Sequence, residues 1–136
     1  MTKTTVLALV LSGFAGLGLI GSALAQTYPT KPIRVIVPFP AGGGTDIVAR
    51  IVTDALGKTL NAQLIVDNRG GAGGIVGTDL AAKATADGYT TTIVSGSHAI
   101  NPSLHDKLPY DSVRDFTPIS MLVSAPGLLV VHPSLP

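Results

Sequence analysis

IRVIVPFPAGGGTDIVARI, residues 33–51, is the stretch of sequence that decides the fold. Its first five residues form a β-branched apolar run, which Pro38 and Pro40 bring to an end. From Asp46 onward, apolar residues recur at spacings of one, three and four, which is typical of a helix with one buried face. The sequence therefore predicts a strand over 33–37, a glycine-rich stretch, and a helix over 46–60.

The same order of features returns after about thirty residues, which is the size of a βαβ unit. A short apolar run over 64–66 precedes the glycine-rich stretch DNRGGAGG, residues 67–74, and a second helical pattern over 75–84. A third strand is predicted over 89–94, and a loop over 95–102 follows it. The right-handed crossover rule then makes the three strands parallel in one sheet.

Both glycine-rich stretches lie at the same edge of such a sheet, because the carboxyl ends of parallel strands meet there. Free backbone N–H groups and the positive end of a helix favour an anion at that edge. The sequence therefore predicts a site for a carboxylate or a phosphate. Thr45 or Asp46 can cap the helix, and Asp46 can also contact the ligand. Asn68 can fix a turn or contact the ligand.

The first 25 residues have the pattern of a cleavable secretory signal peptide. Lys3 precedes an apolar run over 6–20, and the small residues Ala23 and Ala25 flank Leu24 at a cleavage site. We expect cleavage after Ala25 and export, to the periplasm in a Gram-negative bacterium.

Charge and cysteine content exclude several classes of function. The chain has nine Lys and Arg against eight acidic residues, all of them Asp, and it has no cysteine. So small a net charge creates no long-range field for nucleic acid or an anionic membrane surface. Without thiols, the chain can form neither a disulfide nor a thiolate metal site. After the signal peptide, the length is enough for one modest domain.

Nucleotide and hydrolase motifs are incomplete. Neither glycine-rich stretch is followed by the lysine of a P-loop, and the second spaces its glycines wrongly for a dinucleotide fingerprint. We therefore predict no cofactor, and the spacing of the histidines predicts no metal. An exported serine-type hydrolase that uses His98 with Ser95 or Ser97 stays open as an alternative, although the G-x-S-x-G elbow is missing.

Collinear motifs over most of the mature chain carry a resemblance to a known family. The chain resembles the Bug-type (TctC-like) substrate-binding proteins of tripartite tricarboxylate transporters. The matching stretches before residue 80 are KPIR (31–34), VPFPAGG (37–43) with Asp46 and AR (49–50), DNR (67–69), and GAGG (71–74) with Gly77. Those after it are AKA (82–84), DGYT (87–90), HAINP (98–102), LPYD (108–111) and DF (115–116).

The resemblance implies a two-lobed α/β fold of the periplasmic-binding-protein-like type II, with a parallel sheet in three layers. It also implies a receptor without catalysis, which binds a small organic acid such as a di- or tricarboxylate and works with membrane permease subunits. The ligand-binding residues that it implies, with the candidates of the third loop, are Phe39, Ala41, Gly42, Gly43, Thr45, Asp46, Asn68, Gly71, Ala72, Gly73, Ser95, Ser97 and His98.

The family's two lobes imply a chain about twice this long, given ordinary domain sizes. We therefore expect residues 26–130 to form most of the first lobe and 131–136 to begin the crossover to a second lobe. Within the first lobe, a further strand is predicted over 118–123. A truncated receptor is the main expectation, and a fragment without function is the remaining alternative.

Overall fold

The structure, a computed structural model, describes residues 28–134. The predicted signal peptide over 1–25 lies outside the described residues. Within 28–134, none of the helices has the length and apolar character that crossing a membrane requires.

Three parallel strands form one sheet in the order β2-β1-β3. Strand β1 spans Ile33–Val37, β2 spans Leu64–Asn68 and β3 spans Thr90–Thr92. The predicted parallel sheet is therefore confirmed, and β1 has the predicted bounds. Strand β2 is two residues longer than predicted, whereas β3 is shorter.

The central strand is buried on both faces. Ile33, Val35, Ile36 and Val37 are each at most 4% exposed. A continuous apolar run suits this position, because a central strand of a parallel sheet is covered on both sides. The outer strands are half-buried for most of their length, so the core of the lobe is centred on β1.

Two helices cover the sheet. Helix α1 spans Gly44–Leu60 and packs on β1 and β2, while α2 spans Ile75–Ala82 and packs on β1 and β3. The connection from β1 to β2 and the connection from β2 to β3 run in opposite directions along the sheet. Because both are right-handed, the two helices lie on opposite faces of the sheet. This arrangement gives the three layers that the resemblance implies.

The predicted loop over 95–102 is wrong over most of its length, because Ser97–Leu104 form a helix, α3. Pro102 lies inside this helix and has no N–H to give to the carbonyl of His98. The hydroxyl of Ser112 donates to that carbonyl instead, at 3.3 Å. A side chain from a later segment thus supplies the bond that proline removes, and a local turn signal does not reveal it.

The predicted strand over 118–123 is also wrong, since residues 116–132 form neither helix nor strand. Strand structure needs a neighbouring strand to pair with. No strand among residues 28–134 pairs with this segment. Its apolar side chains are exposed as a result, to 84% at Ile119 and 93% at Leu129.

Candidate functional site

The candidate site is formed by two loops that leave neighbouring strands at the same edge of the sheet. The first glycine loop, residues 38–43, connects β1 to α1, and the second glycine loop, residues 69–74, connects β2 to α2. The backbone N–H of Arg69 donates to the carbonyl of Val37 at 2.8 Å, so the loops begin side by side. The sheet therefore brings the two predicted glycine-rich stretches together.

Asp46 lies beneath the first glycine loop and is 2% exposed. Its Oδ2 accepts hydrogen bonds from the backbone N–H of Gly42 at 2.8 Å and from Nε of Arg50 at 2.9 Å. Its Oδ1 accepts one from Nδ2 of Asn68 at 2.9 Å. A buried carboxylate requires this kind of complete pairing. Asp46 therefore joins the first loop, the helix and the end of β2.

These donors hold Asp46 in its ionised form. The hydrogen bond from Arg50, and then those from Gly42 and Asn68, lower the pKa of Asp46 to about 2, against an opposing effect of burial. The same contact raises the pKa of the Arg50 guanidinium. The pair is therefore ionised throughout the physiological pH range.

Asn68 connects the two loops through its side-chain amide. Besides its bond to Asp46, Nδ2 donates to the carbonyl of Phe39 at 3.1 Å, so both amide hydrogens are engaged. Its Oδ1 accepts a longer bond, 3.3 Å, from Nη2 of Arg50. The polar atoms of Asp46 and Asn68 thus bond within the protein. Direct contact of either side chain with a ligand stays a prediction.

The predicted helix caps are corrected by the structure. The N-cap residue of α1 is Gly43, which makes no side-chain capping bond. Thr45 and Asp46 are instead the second and third residues of the helix. The helix begins two residues early because Asp46 reaches back to the N–H of Gly42 from inside the first turn.

The first turn of α1 presents backbone N–H groups at the exposed edge. The first bond of the helix runs from the N–H of Ile47 to the carbonyl of Gly43 at 3.0 Å. The N–H groups of Gly44 and Thr45 therefore have no intrahelical acceptor. A Cβ built on Gly44 meets nothing within 4 Å. This end of the helix is thus open to an anion.

The second glycine loop is a left-handed turn. Gly71, Ala72, Gly73 and Gly74 all have positive φ, and the N–H of Gly74 donates to the carbonyl of Gly71 at 2.9 Å. Glycine adopts these angles readily, whereas Ala72, at φ 47°, is strained.

Gly77, the third residue of α2, lets the helix approach both loops. A Cβ on this residue would lie 2.5 Å from the carbonyl oxygen of Arg69 and 2.7 Å from Cα of Pro38. Both atoms belong to the backbone and cannot move away easily. The sequence pointed to Gly77 only through an imperfect dinucleotide fingerprint and the family resemblance, and its contact with Pro38 is remote along the chain.

The third candidate group lies after β3. The hydroxyls of Ser95 and Ser97 are 3.1 Å apart and hydrogen bond to each other. Nε2 of His98 lies 2.9 Å from the carbonyl of Ser112, so it donates there, and Nδ1 is buried without a partner. The backbone N–H of His98 donates to the carbonyl of Ser95 at 3.0 Å, but no bond between the His98 imidazole and either serine hydroxyl is found among the described residues. This arrangement gives no base for a serine nucleophile, so the hydrolase alternative gains no support.

His98 belongs to an aromatic cluster. Its ring is stacked with Tyr110 at a centroid distance of 6.0 Å and meets Phe116 edge-on at 5.1 Å. These contacts anchor α3 to the segment that follows it. Asn101 of the same helix is 5% exposed, and its Nδ2 lies 3.5 Å from the carbonyl of Gly73. Helix α3 therefore abuts the second glycine loop, a role of Asn101 that the sequence did not reveal.

The loops form an open surface and not a closed pocket. The two best-formed cavities within residues 28–134, of about 540 and 640 Å³, are lined by no residue of the two glycine loops. Gly43, Gly71, Ala72 and Gly73 are all exposed. The described residues thus present the candidate site as an open surface.

A three-layer α/β lobe with two glycine loops at the carboxyl edge of its sheet is compatible with the fold of a periplasmic binding protein. Sequence comparison agrees, because a family model described as the tripartite tricarboxylate transporter family receptor, TctC, matches residues 48–136. The chain belongs to this family, as its motifs predict. Protein BugT of Bordetella pertussis is 42% identical over 137 residues, which cover 99% of this chain and 42% of BugT.

Two solved structures extend the comparison. The periplasmic binding protein BugD is 40% identical, with a TM-score of 0.61 over 62% of this chain and 28% of BugD. MatC from Rhodopseudomonas palustris, solved with bound malate, is 38% identical, with a TM-score of 0.66 over 70% of this chain and 33% of MatC. The chain spans between 30% and 42% of the length of the curated relatives it matches.

Proposed function

We propose that this chain binds a small carboxylate, of the di- or tricarboxylate class, at the exposed edge formed by the two glycine loops. The observation that carries the proposal is the open amino end of α1, where Gly43 and Gly44 leave the backbone N–H groups uncovered. A carboxylate there would accept bonds from these groups and interact favourably with the helix dipole. MatC, a structural relative with bound malate, supports this ligand class.

The local charge is compatible with an anion despite the buried Asp46. The guanidinium of Arg50 and two other donors compensate that carboxylate. Arg69 and Arg34 both pair with Asp67, an acidic residue of β2 next to the second loop. A ligand carboxylate would therefore meet N–H dipoles and compensated charges, and ordered water could bridge acids of different length.

As a receptor, the chain would carry its ligand without chemical change and present it to the membrane permease subunits of a tripartite transporter. This part of the proposal rests on membership in the receptor family. The signal-peptide pattern of residues 1–25 supports export, with the periplasm as the site of action.

Calorimetric titration of the chain with malate, succinate and citrate tests the proposal. Gly43→Val should weaken binding, because its side chain would cover the N–H groups of the first turn. Gly127→Val is the matched control, since Gly127 lies in open space in the segment without regular structure. Equal affinity of the two variants would contradict this placement, and a chain that binds none of the acids would contradict the ligand class.

A further inference from the structure

We infer that Arg50 is a positioning residue of the carboxylate site, which acts by locking Asp46 and Asn68 so that the two glycine loops keep a fixed relation. We call these three side chains the Asp46–Arg50–Asn68 latch. The inference rests on the proposed function and goes beyond it, because it assigns a role in binding to a residue that need not contact the ligand.

The geometry of the latch is a closed cycle of hydrogen bonds. Arg50 donates from Nε to Asp46 at 2.9 Å and from Nη2 to Asn68 at 3.3 Å, and Asn68 donates to Asp46 at 2.9 Å. Each member therefore bonds to the other two. The cycle joins α1, which carries Asp46 and Arg50, to the last residue of β2, Asn68. Along the chain, these two elements are connected by the turn over 61–63.

Each bond that leaves the cycle reaches the first glycine loop. Asp46 receives the N–H of Gly42, and Asn68 donates to the carbonyl of Phe39. Asn68 is also the last residue before the second glycine loop. The latch thus fixes the start of the second glycine loop relative to Phe39 and Gly42 of the first. A ligand that contacts both loops requires the distance between them to be constant.

The exposure of Arg50 distinguishes a positioning role from a packing role. Its side chain is 56% exposed, whereas that of Asp46 is 3% exposed. Packing alone would accept many residues at so exposed a position. The guanidinium nevertheless turns inward, and its fork of donors matches two acceptors at once, which lysine cannot reproduce.

Arg50 also compensates a charge that would otherwise oppose the ligand. Without the guanidinium, the Asp46 carboxylate would lie uncompensated beneath an anion site. Arg50→Gln should therefore weaken binding through both charge and loop position. If the fraction of chains with correctly placed loops falls to about one tenth, the apparent affinity falls about tenfold.

The experiment uses the whole chain and two readouts. The first is the NMR spectrum of the ligand-free protein, in which Arg50→Gln should shift the Gly42 amide and the Asn68 side-chain amide and speed exchange of the Gly42 amide. The second is calorimetric affinity for malate, expected to fall about tenfold if nine chains in ten lose the correct loop geometry. Arg114→Gln is the matched control, because it breaks an exposed Arg–Asp pair with Asp111 outside both loops.

Further variants separate the two effects of Arg50. Arg50→Lys retains the charge but cannot donate to Asp46 and Asn68 in the same geometry, so its affinity should lie between those of Arg50→Gln and wild type. This variant should also keep the fold if Arg50→Gln does not. Asp46→Asn combined with Arg50→Gln removes the uncompensated charge and should bind more tightly than Arg50→Gln alone. Equal affinity of the single and double variants would overturn the electrostatic part of the inference.

The two readouts also separate this inference from the proposed function. Unchanged Gly42 and Asn68 resonances in Arg50→Gln would overturn the latch, whatever the affinity. Shifted resonances with unchanged malate affinity would overturn the role of Arg50 in binding. A wild-type chain that binds no acid would contradict the proposed function and the binding role together, while the spectra still decide whether the latch holds the loops.

Discussion

The two glycine loops have similar compositions but use their glycines differently. In the first glycine loop, only Gly42 has positive φ, and a Cβ on Gly43 would make one ordinary contact, 3.5 Å from the carbonyl oxygen of Pro40. In the second, four consecutive residues over 71–74 have positive φ. A Cβ on Gly70 would also crowd Pro40, at 3.2 Å.

This difference separates glycines that the fold requires from glycines that it merely permits. The second loop needs glycine because its turn is left-handed and because backbone and side chains approach it closely. At Gly43 and Gly44 the backbone angles suit any residue and the space is free. What glycine provides there is an uncovered N–H edge, so we expect substitutions in the second loop to change stability and those in the first to change affinity.

The largest effect is expected from Gly77→Ala, beneath the second loop. Its Cβ would collide with the backbone of Arg69 and Pro38. Overpacking of this kind costs about 1–3 kcal/mol and sometimes more. Urea unfolding measures the loss, with Gly44→Ala as the control, because that Cβ meets open space in a helical position. Equal urea midpoints for the two variants would mean that α2 does not pack closely against the two loops at Gly77.

A smaller loss is expected from Gly74→Ala, at φ +95°. A Cβ in left-handed backbone costs about 1–2 kcal/mol, and here it would also touch Cζ of Phe39 at 3.4 Å. Gly43→Ala, at φ −77°, is the matched change in the first loop; because alanine caps a helix less well than glycine, it should cost less than about 1 kcal/mol. The comparison between the loops would fail if Gly43→Ala were the more harmful of the two.

The connection between the loops can be tested through pH. The pKa of Asp46 is lowered to about 2 in the folded chain, below its ordinary value of 3.8. A lowered carboxyl pKa adds stability above the unfolded value, about 3.9, and this stability is lost as the pH falls through the folded value. Asp46→Asn should therefore be less stable than wild type at pH 7, and the gap should close as the pH approaches about 2.

Asp54→Asn is the control for this pH dependence. Asp54 pairs with Lys58 on the surface of α1, and its side chain is 70% exposed. Exposed pairs contribute little to stability, so this variant should follow wild type across the same range. Thermal melts over the acid range measure both variants. A gap between wild type and Asp46→Asn that stays constant with pH would show that the charge of Asp46 is not what stabilises the loops.

Local sequence signals predicted the elements whose bounds depend on neighbouring residues along the chain, and they failed where contacts with distant residues set the bounds. The strand over 33–37 has the predicted bounds, because a β-branched run between prolines allows no other choice. Asp67 and Asn68 read as loop from their polarity, but pairing with β1 keeps them in β2. Helix α3 was missed because an asparagine–proline pair signals a turn, while a remote hydroxyl stabilises the helix.

The candidate site divides in the same way. Glycine-rich stretches after strands identified both loops, because the carboxyl edge of a parallel sheet follows from topology alone. The bonding of Asp46 and Asn68 within the protein depends on distances between two βα connections, which spacing does not give. Arg50 had one local signal, its position four residues after Asp46 on a helix. The approach of Gly77 to Pro38 had only a weak signal, the last glycine of an imperfect dinucleotide fingerprint, since the contact itself is set by how α2 packs.

The smallest effect is expected at Ala72, the one residue in the left-handed turn over 71–74 that is not glycine. At φ 47° its Cβ costs about 1–2 kcal/mol, which Ala72→Gly would relieve. Glycine also gains freedom in the unfolded chain, which offsets about 0.4–1 kcal/mol of that benefit. We therefore expect a net stabilisation of about 0–1.6 kcal/mol. The control is Ala55→Gly in α1, where glycine should destabilise by about 0.5–1 kcal/mol. Chemical denaturation of both variants gives the sign of the change in the free energy of unfolding. Opposite signs support strain at Ala72 in the left-handed turn. A loss of stability in both variants would mean that Ala72 is not strained and that the two loops differ less than their backbone angles indicate.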